Sequence, residues 1–172
     1  DAGWIALQAG IAGGATAIVV PEVPFDIDEL SQIVRKRHDR GRYASVVVVA
    51  EGAKPKPNTM KIPERKLDAY GHEKLGDIAH AIAPEISART GFETRVVQLG
   101  YIQRGGTPTS YDRVLSTRFG LAAVDAVHNK KFGQMVVLKA GQIETIDMSV
   151  TANQTRTIDL KLFADVATTF FG

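Results

Sequence analysis

Apolar positions along the chain alternate between helical spacing and short unbroken runs. Trp4, Leu7 and Ile11 recur at helical spacing, so residues 3–12 are expected to form a helix that Gly13 and Gly14 stop. Residues 17–20 are wholly apolar and closed by Pro21, which predicts a strand. Asp26 and Glu29 have the spacing of a capping box. They open a helix with Ile27, Leu30, Ile33 and Val34 inward, ended by Gly41. Residues 45–50 are β-branched and apolar without alternation, the pattern of a strand covered on both faces in a parallel sheet. Residues 52–66 hold three prolines, four lysines and no apolar period, and predict a mobile surface loop. A helix resumes near Glu73 with Leu75, Ile78, Ile82 and Ile86 inward; Pro84 is expected to kink it and Gly91 to cap it. A strand at 94–99 and a glycine-rich loop at 100–108 follow. Residues 110–128 predict a long helix with Val114, Leu115, Phe119, Ala122, Ala123 and Val124 as candidate core. Two strands, 134–138 and 142–147, flank a turn at Gly141, and a last helix covers 158–171.

Helices alternating with short buried strands argue an α/β sheet with right-handed crossovers. In such sheets ligands bind beyond the carboxyl ends of the strands. Two strand ends therefore matter: one delivers Glu51, the other delivers residues 100–106.

Composition narrows the classes. At 172 residues the chain suits one domain, or one and part of a second, and 44% hydrophobic residues supply a real core. No apolar run approaches the roughly 20 residues of a membrane helix. The opening Asp1-Ala2-Gly3-Trp4 has no methionine, no basic region and no cleavage pattern, so it reads as the middle of a longer chain without a signal peptide. With no cysteine there is no disulfide or thiolate site, which fits a reducing compartment. A net charge of +2 argues against nucleic-acid binding by bulk electrostatics. The basic run from Arg35 to Arg42 is either a solvated helix end favoured by the helix dipole or an anion site at the following turn.

Candidate chemistry concentrates at the two strand ends. Glu51 follows five apolar residues. Such a carboxylate either accepts hydrogen bonds from ligand hydroxyls, or caps a helix or pairs with an arginine. Gln103-Arg104-Gly105-Gly106 is either an anion loop, with glycines admitting close approach and a guanidinium fork for phosphate oxygens, or a glycine-rich turn with a surface arginine. Tyr101 adds a hydroxyl donor three residues before Arg104. Arg95, six residues before Tyr101, shares its face if the strand is regular. Convergent arginines near a glutamate suit a phosphorylated polyol. The four histidines lack ligand spacing, so no metal site is expected, and no Walker loop, nucleophile elbow or dinucleotide fingerprint is present.

These residues resemble a known family. Residues 99–108, LGYIQRGGTP, with Tyr111-Asp112-Arg113, are similar to the sugar-phosphate motif of bacterial-type phosphofructokinases. Residues 1–15 resemble the helix after that family's Met-Gly-Arg motif, and 46–53, VVVVAEGA, the strand that delivers its substrate glutamate. The resemblance runs through the whole chain. It implies a three-layer αβα sandwich with a mostly parallel sheet, part of a two-domain fold. Residues 1–106 would be sugar-phosphate-binding, 107–150 would cross back to a nucleotide-binding domain, and 151–172 would return as a C-terminal helix.

The resemblance further implies that the whole enzyme phosphorylates the 1-hydroxyl of fructose 6-phosphate in glycolysis. Glu51 would contact the sugar hydroxyls, and Tyr101 and Arg104 the 6-phosphate, with Ile102 and Gln103 on the same loop. Arg95 would reach a neighbouring subunit's site in a homo-oligomer, a dimer or tetramer, in the cytoplasm. Tyr101 stands where many ATP-dependent members carry histidine and several pyrophosphate-using members tyrosine, so the donor is ATP or pyrophosphate. Arg40 and Arg42 match basic effector positions, whereas Thr16 replaces an acidic residue that helps bind the effector's metal. The family's Met-Gly-Arg motif, catalytic aspartate loop and donor loop would precede Asp1. No catalytic residue is therefore expected in this chain, Mg²⁺ belongs to the complete enzyme, and the chain alone is expected to be inactive. The rival readings are a non-catalytic sugar-phosphate-sensing subunit and a generic nucleotide-binding domain, the latter disfavoured because no glycine loop opens a helix.

Overall fold

The computed structural model describes residues 2–61, 78–152 and 154–168. They fall into two compact units, residues 1–97 with 156–172, and residues 98–155. Leu75 and residues 62–66 of the expected loop lie outside the described residues.

The first unit is an α/β layer structure built on two parallel strands. β1 (Ala17–Val19) pairs in register with β2 (Val47–Val49). Period-2 alternation sends their side chains to opposite faces. On one face Ile18, Val20, Val48 and Ala50 pack with Ala6 and Leu7 of α1 (Trp4–Ala12) and with Ile158, Phe163 and Ala167. On the other, Ala17, Val19, Val47 and Val49 pack with Ile27 and Leu30 of α2 (Ile27–Asp39) and with Ile78, Ile82 and Ile86 of α3 (Ile78–Thr90). Helices thus cover both faces, giving the αβα layering expected of an unbroken apolar strand.

Glu22 ties the chain's ends to this core. Its carboxylate accepts the Gly3 N–H at 3.0 Å and the Ile158 N–H at 3.2 Å. The Trp4 indole donates to the Arg156 carbonyl at 2.8 Å. Arg89 joins α3 to α2, donating to Asp28 at 2.5 Å and also pairing with Glu85. Those two carboxylates, Asp28 first, raise the Arg89 pKa above its ordinary value.

Several expectations change. Asp26 caps α2 by accepting the N–H groups of Asp28 and Glu29, but Glu29 turns to Lys56 at 3.1 Å and the box stays half-formed. Within the expected loop, Lys54–Lys56 is held by Phe25, which donates to the Lys54 carbonyl at 3.0 Å and accepts from Lys56 at 2.6 Å. Gly91 adopts φ +78° and donates to Ser87 at 2.8 Å, as a C-terminal cap does. Pro84 lies inside α3, which continues to Thr90.

The expected strand at 94–99 does not form. Val97 and Leu99 are exposed, and β2 pairs with β1 alone among the described residues. A strand needs a ladder partner, so β-branched composition alone does not make one. A cavity of about 230 Å³ lies there, lined by Val47, Val49, Ile82, Ile86, Phe92 and Val97, and β2 is only half-buried. The last helix starts at Leu160, two residues later than expected, and residues 169–171 of the expected helix lie outside the described residues. α5 (Leu160–Leu162) runs into a π-helical turn, Phe163–Ala167.

The second unit sets α4 (Ser110–His128) beside an antiparallel hairpin of β3 (Gln134–Lys139) and β4 (Gln142–Asp147). Ala140 and Gly141 turn it with φ +48° and +82°, the two left-handed residues of a type I′ turn. A full capping box starts α4: the Thr109 hydroxyl accepts from Asp112 N–H while the Asp112 carboxylate accepts from Thr109 N–H at 2.9 Å. The Thr109 hydroxyl, then its backbone N–H, hold the Asp112 carboxyl below the usual range.

No residue of α4 is buried. Leu115, Phe119, Ala122 and Ala126 are half-buried along one face, whereas Val114, Ala123 and Val124 of the expected core are exposed. Tyr111, Leu121 and Val127 add to this exposed apolar surface. Such surfaces drive association. We expect the 172-residue chain to self-associate in sedimentation velocity, and Val114→Lys with Leu121→Lys to shift it towards monomer. A concentration-independent wild-type monomer would contradict this.

Candidate functional site

Glu51 is exposed in the turn just past β2, where parallel strands present ligand-binding groups. Ala53 N–H donates to the Ala50 carbonyl at 3.0 Å, and Gly52 and Ala53 are buried, so the backbone turns in beneath the carboxylate. Among the described residues nothing pairs with the Glu51 side chain. This removes the alternative of a described helix cap or arginine partner.

Arg95 behaves differently. Its guanidinium is paired with Glu93 at 2.8 Å, both highly exposed. Because 94–99 is not a strand, the argument that Arg95 and Tyr101 share a strand face falls. Arg95 belongs to the first unit and Tyr101 to the second.

In the second unit Gly100–Arg104 forms a 3-10 turn. Gly100 and Gly106 bracket it with φ +53° and +112°, conformations a side chain would strain. The Ile102 N–H reaches Leu99 and the Gly105 N–H reaches Ile102, each at 3.0 Å. Tyr101, Ile102, Gln103 and Arg104 are all exposed. The Arg104 guanidinium lies over the Tyr101 ring, 5.5 Å from its centroid. No carboxylate among the described residues pairs with Arg104, so its charge is not neutralised. The ring contact was missed in the sequence, where Tyr101 counted only as a hydroxyl donor. The signal was its three-residue spacing from Arg104 in a segment bounded by glycines.

The basic run at the C-terminal end of α2 keeps both of its readings. Arg37 donates to the Ala44 carbonyl at 3.2 Å, and Arg42 is exposed with no described partner for its guanidinium. Arg40 caps the helix, its N–H reaching Lys36. His38, at the same end, stacks on Phe92 with centroids 4.1 Å apart and meets Tyr43 edge-on at 4.8 Å. Thr16 is buried; its hydroxyl accepts the Val46 N–H at 3.2 Å, so it extends the β1–β2 ladder. Among the described residues no three histidine, aspartate or glutamate side chains gather to hold a metal ion, so these residues offer Mg²⁺ no cage.

A family model described as Phosphofructokinase matches residues 1–127, and the chain belongs to the phosphofructokinase family. It is 49% identical over 163 residues to the ATP-dependent 6-phosphofructokinase 3 of Streptomyces coelicolor, covering 95% of this chain and 48% of that protein. It is 47% identical over 171 residues to the pyrophosphate–fructose 6-phosphate 1-phosphotransferase of Amycolatopsis mediterranei, covering 99% and 50%. Among solved structures, phosphofructokinase from Saccharomyces cerevisiae matches with a TM-score of 0.67 at 28% identity, over 98% of this chain and 20% of that one. The chain thus spans about half the length of the curated relatives it matches.

Proposed function

We propose that this chain is the fructose 6-phosphate-binding part of a phosphofructokinase that transfers a phosphoryl group to the sugar's 1-hydroxyl. The observation that carries the reading is Arg104, an exposed guanidinium on a glycine-bracketed turn with no described carboxylate to neutralise it. A charge left open in this way suits a phosphate, which its planar fork can grip with two hydrogen bonds. Glu51, past the end of a parallel strand, takes the sugar hydroxyls, and Ile102 and Gln103 line the phosphate loop. Residues 1–106 then form the sugar-phosphate-binding domain, 107–150 cross towards the part that holds the donor, and 151–172 return as a C-terminal helix. Arg95 serves a neighbouring subunit in a homo-oligomer, and Arg40 and Arg42 face an effector anion. The donor, ATP or pyrophosphate with Mg²⁺, is held by the rest of a cytoplasmic enzyme.

The test is steady-state phosphorylation of fructose 6-phosphate by the complete enzyme with each donor, beside the 172-residue chain alone. We expect turnover from the first and none from the second, because phosphoryl transfer is mostly positioning and charge stabilisation of the donor. If the complete protein binds fructose 6-phosphate and neither donor supports turnover, it is a sensor and not a kinase. Glu51→Gln is expected to lower kcat/KM roughly tenfold, the loss of one charge-assisted hydrogen bond, with part of it in kcat through lost orientation. Unchanged kinetics in that variant would remove Glu51 from the site.

A further inference from the structure

We propose that Glu22 is a positioning residue for the sugar site: it fastens the segment after β1 and so steadies the neighbouring turn that presents Glu51. The proposal rests on the reading of Glu51 as the acceptor for sugar hydroxyls. β1 and β2 run parallel and in register, so their carboxyl ends lie side by side. The last bond of that ladder is the Ala50 N–H to the Val19 carbonyl at 2.8 Å, one residue before Glu51. The next donor on the β1 side would be residue 21, and Pro21 has no N–H. The Ala50 carbonyl accepts from Ala53 at 3.0 Å instead, which closes the turn carrying Glu51. Pairing resumes only at Phe25, which bonds Lys54 and Lys56. Between these two fastened points the segment after β1 is free of the ladder.

Glu22 stands in that gap, and its side chain does what the ladder does not. Both carboxylate oxygens accept the Gly3 N–H, at 3.0 and 3.1 Å, and one of them also accepts the Ile158 N–H at 3.2 Å. Gly3 and Ile158 are buried and Glu22 is half-buried, so water competes poorly for these bonds. Gly3 precedes α1, where the helix dipole favours a negative charge. A Cβ on Gly3 would stand 2.6 Å from Val20 Cγ1, so α1 starts against the same strand end that Glu51 neighbours. Three stretches of chain therefore meet on one carboxylate at the ligand-binding end of the sheet. The two glutamates there divide their tasks: backbone donors satisfy Glu22, whereas Glu51 has no described partner and stays open to a ligand. Releasing Glu22 frees residues 20–24 to shift, and Val19 and Phe25 pass that shift to the Glu51 turn from either side.

The experiment measures kcat/KM for fructose 6-phosphate and KM for the donor in the complete enzyme, with urea unfolding alongside. Glu22→Ala should lower kcat/KM for the sugar about tenfold at unchanged donor KM, since small displacements of a positioned group are costly. Glu22→Gln keeps a carbonyl oxygen that can accept both N–H groups and should lose only about threefold, the charge being gone. If Glu22→Ala does not fold, Glu22→Gln carries the test alone. Ile86→Val trims the core on the other face of the sheet; it should lower the urea midpoint and leave kcat/KM as it was. In a Glu51→Gln background the Glu22 variants should add little further, because they act through Glu51. Lower stability with unchanged kcat/KM would make Glu22 merely structural and overturn the proposal. Effects of Glu22 and Glu51 variants that multiply would overturn it as well. Failure of the underlying reading looks different: Glu51→Gln alone would then leave the kinetics unmoved.

Discussion

Arg104→Ala is expected to raise KM for fructose 6-phosphate roughly ten- to a hundredfold in the complete enzyme, with kcat changed little. A hydrogen bond to a charged group is worth about 1.5–3 kcal/mol, and each 1.4 kcal/mol is about a factor of ten. The 6-phosphate lies at the end of the sugar away from the attacking hydroxyl, so its contacts are nearly equal in ground and transition states. Uniform binding of that kind appears in KM and spares kcat. Arg104→Lys should recover only part of the loss, because a point charge does not reproduce the planar fork. Steady-state kinetics at saturating donor decides the matter. An unchanged KM in Arg104→Ala would remove the main reason for placing the phosphate on this loop.

Gly3→Ala is expected to destabilise the fold by about 3 kcal/mol, the upper end of the overpacking range. A Cβ built on Gly3 would stand 2.7 Å from Val20 Cβ and 2.6 Å from its Cγ1. Val20 is fully buried, and a β-branched side chain has little rotamer freedom with which to retreat. The same Cβ would press on the Glu22 carboxylate at 3.0 Å, which holds the Gly3 N–H. Urea unfolding measures the loss. In a Val20→Ala background the Cγ1 clash goes but the Cβ contact at 2.7 Å stays, so only part of the cost of Gly3→Ala should be relieved. A single variant as stable as wild type would show that α1 does not sit this close to β1.

Much of the secondary structure was legible because it is local. α4 begins and ends where its pattern says, since the Thr109–Asp112 box and the apolar spacing are both written within a few residues. The hairpin at Ala140-Gly141 follows from alternating strands around a turn glycine. The three motifs that resemble the phosphofructokinase sugar-phosphate site were legible for the same reason: each is a short contiguous string.

Only the tertiary structure decided matters that depend on what lies opposite. Residues 94–99 have strand composition, yet no neighbour ladders with them among the described residues, and Arg95 pairs with Glu93. On α4 several residues could have faced inward; the hairpin beside it covers Leu115, Phe119, Ala122 and Ala126, and leaves Val114 and Val124 exposed. Gly3 reads as an ordinary helix start until Val20 is placed against it. Glu22 had no pattern to mark it, because its three hydrogen bonds join Gly3 and Ile158, far apart in the chain. The sequence by itself determined the local elements and the family's short motifs, since hydrogen bonds within a turn or a helix need only near neighbours. The cross-chain choices belonged to the tertiary structure, because burial, ladder pairing and close approach are properties of two surfaces and a sequence window holds one.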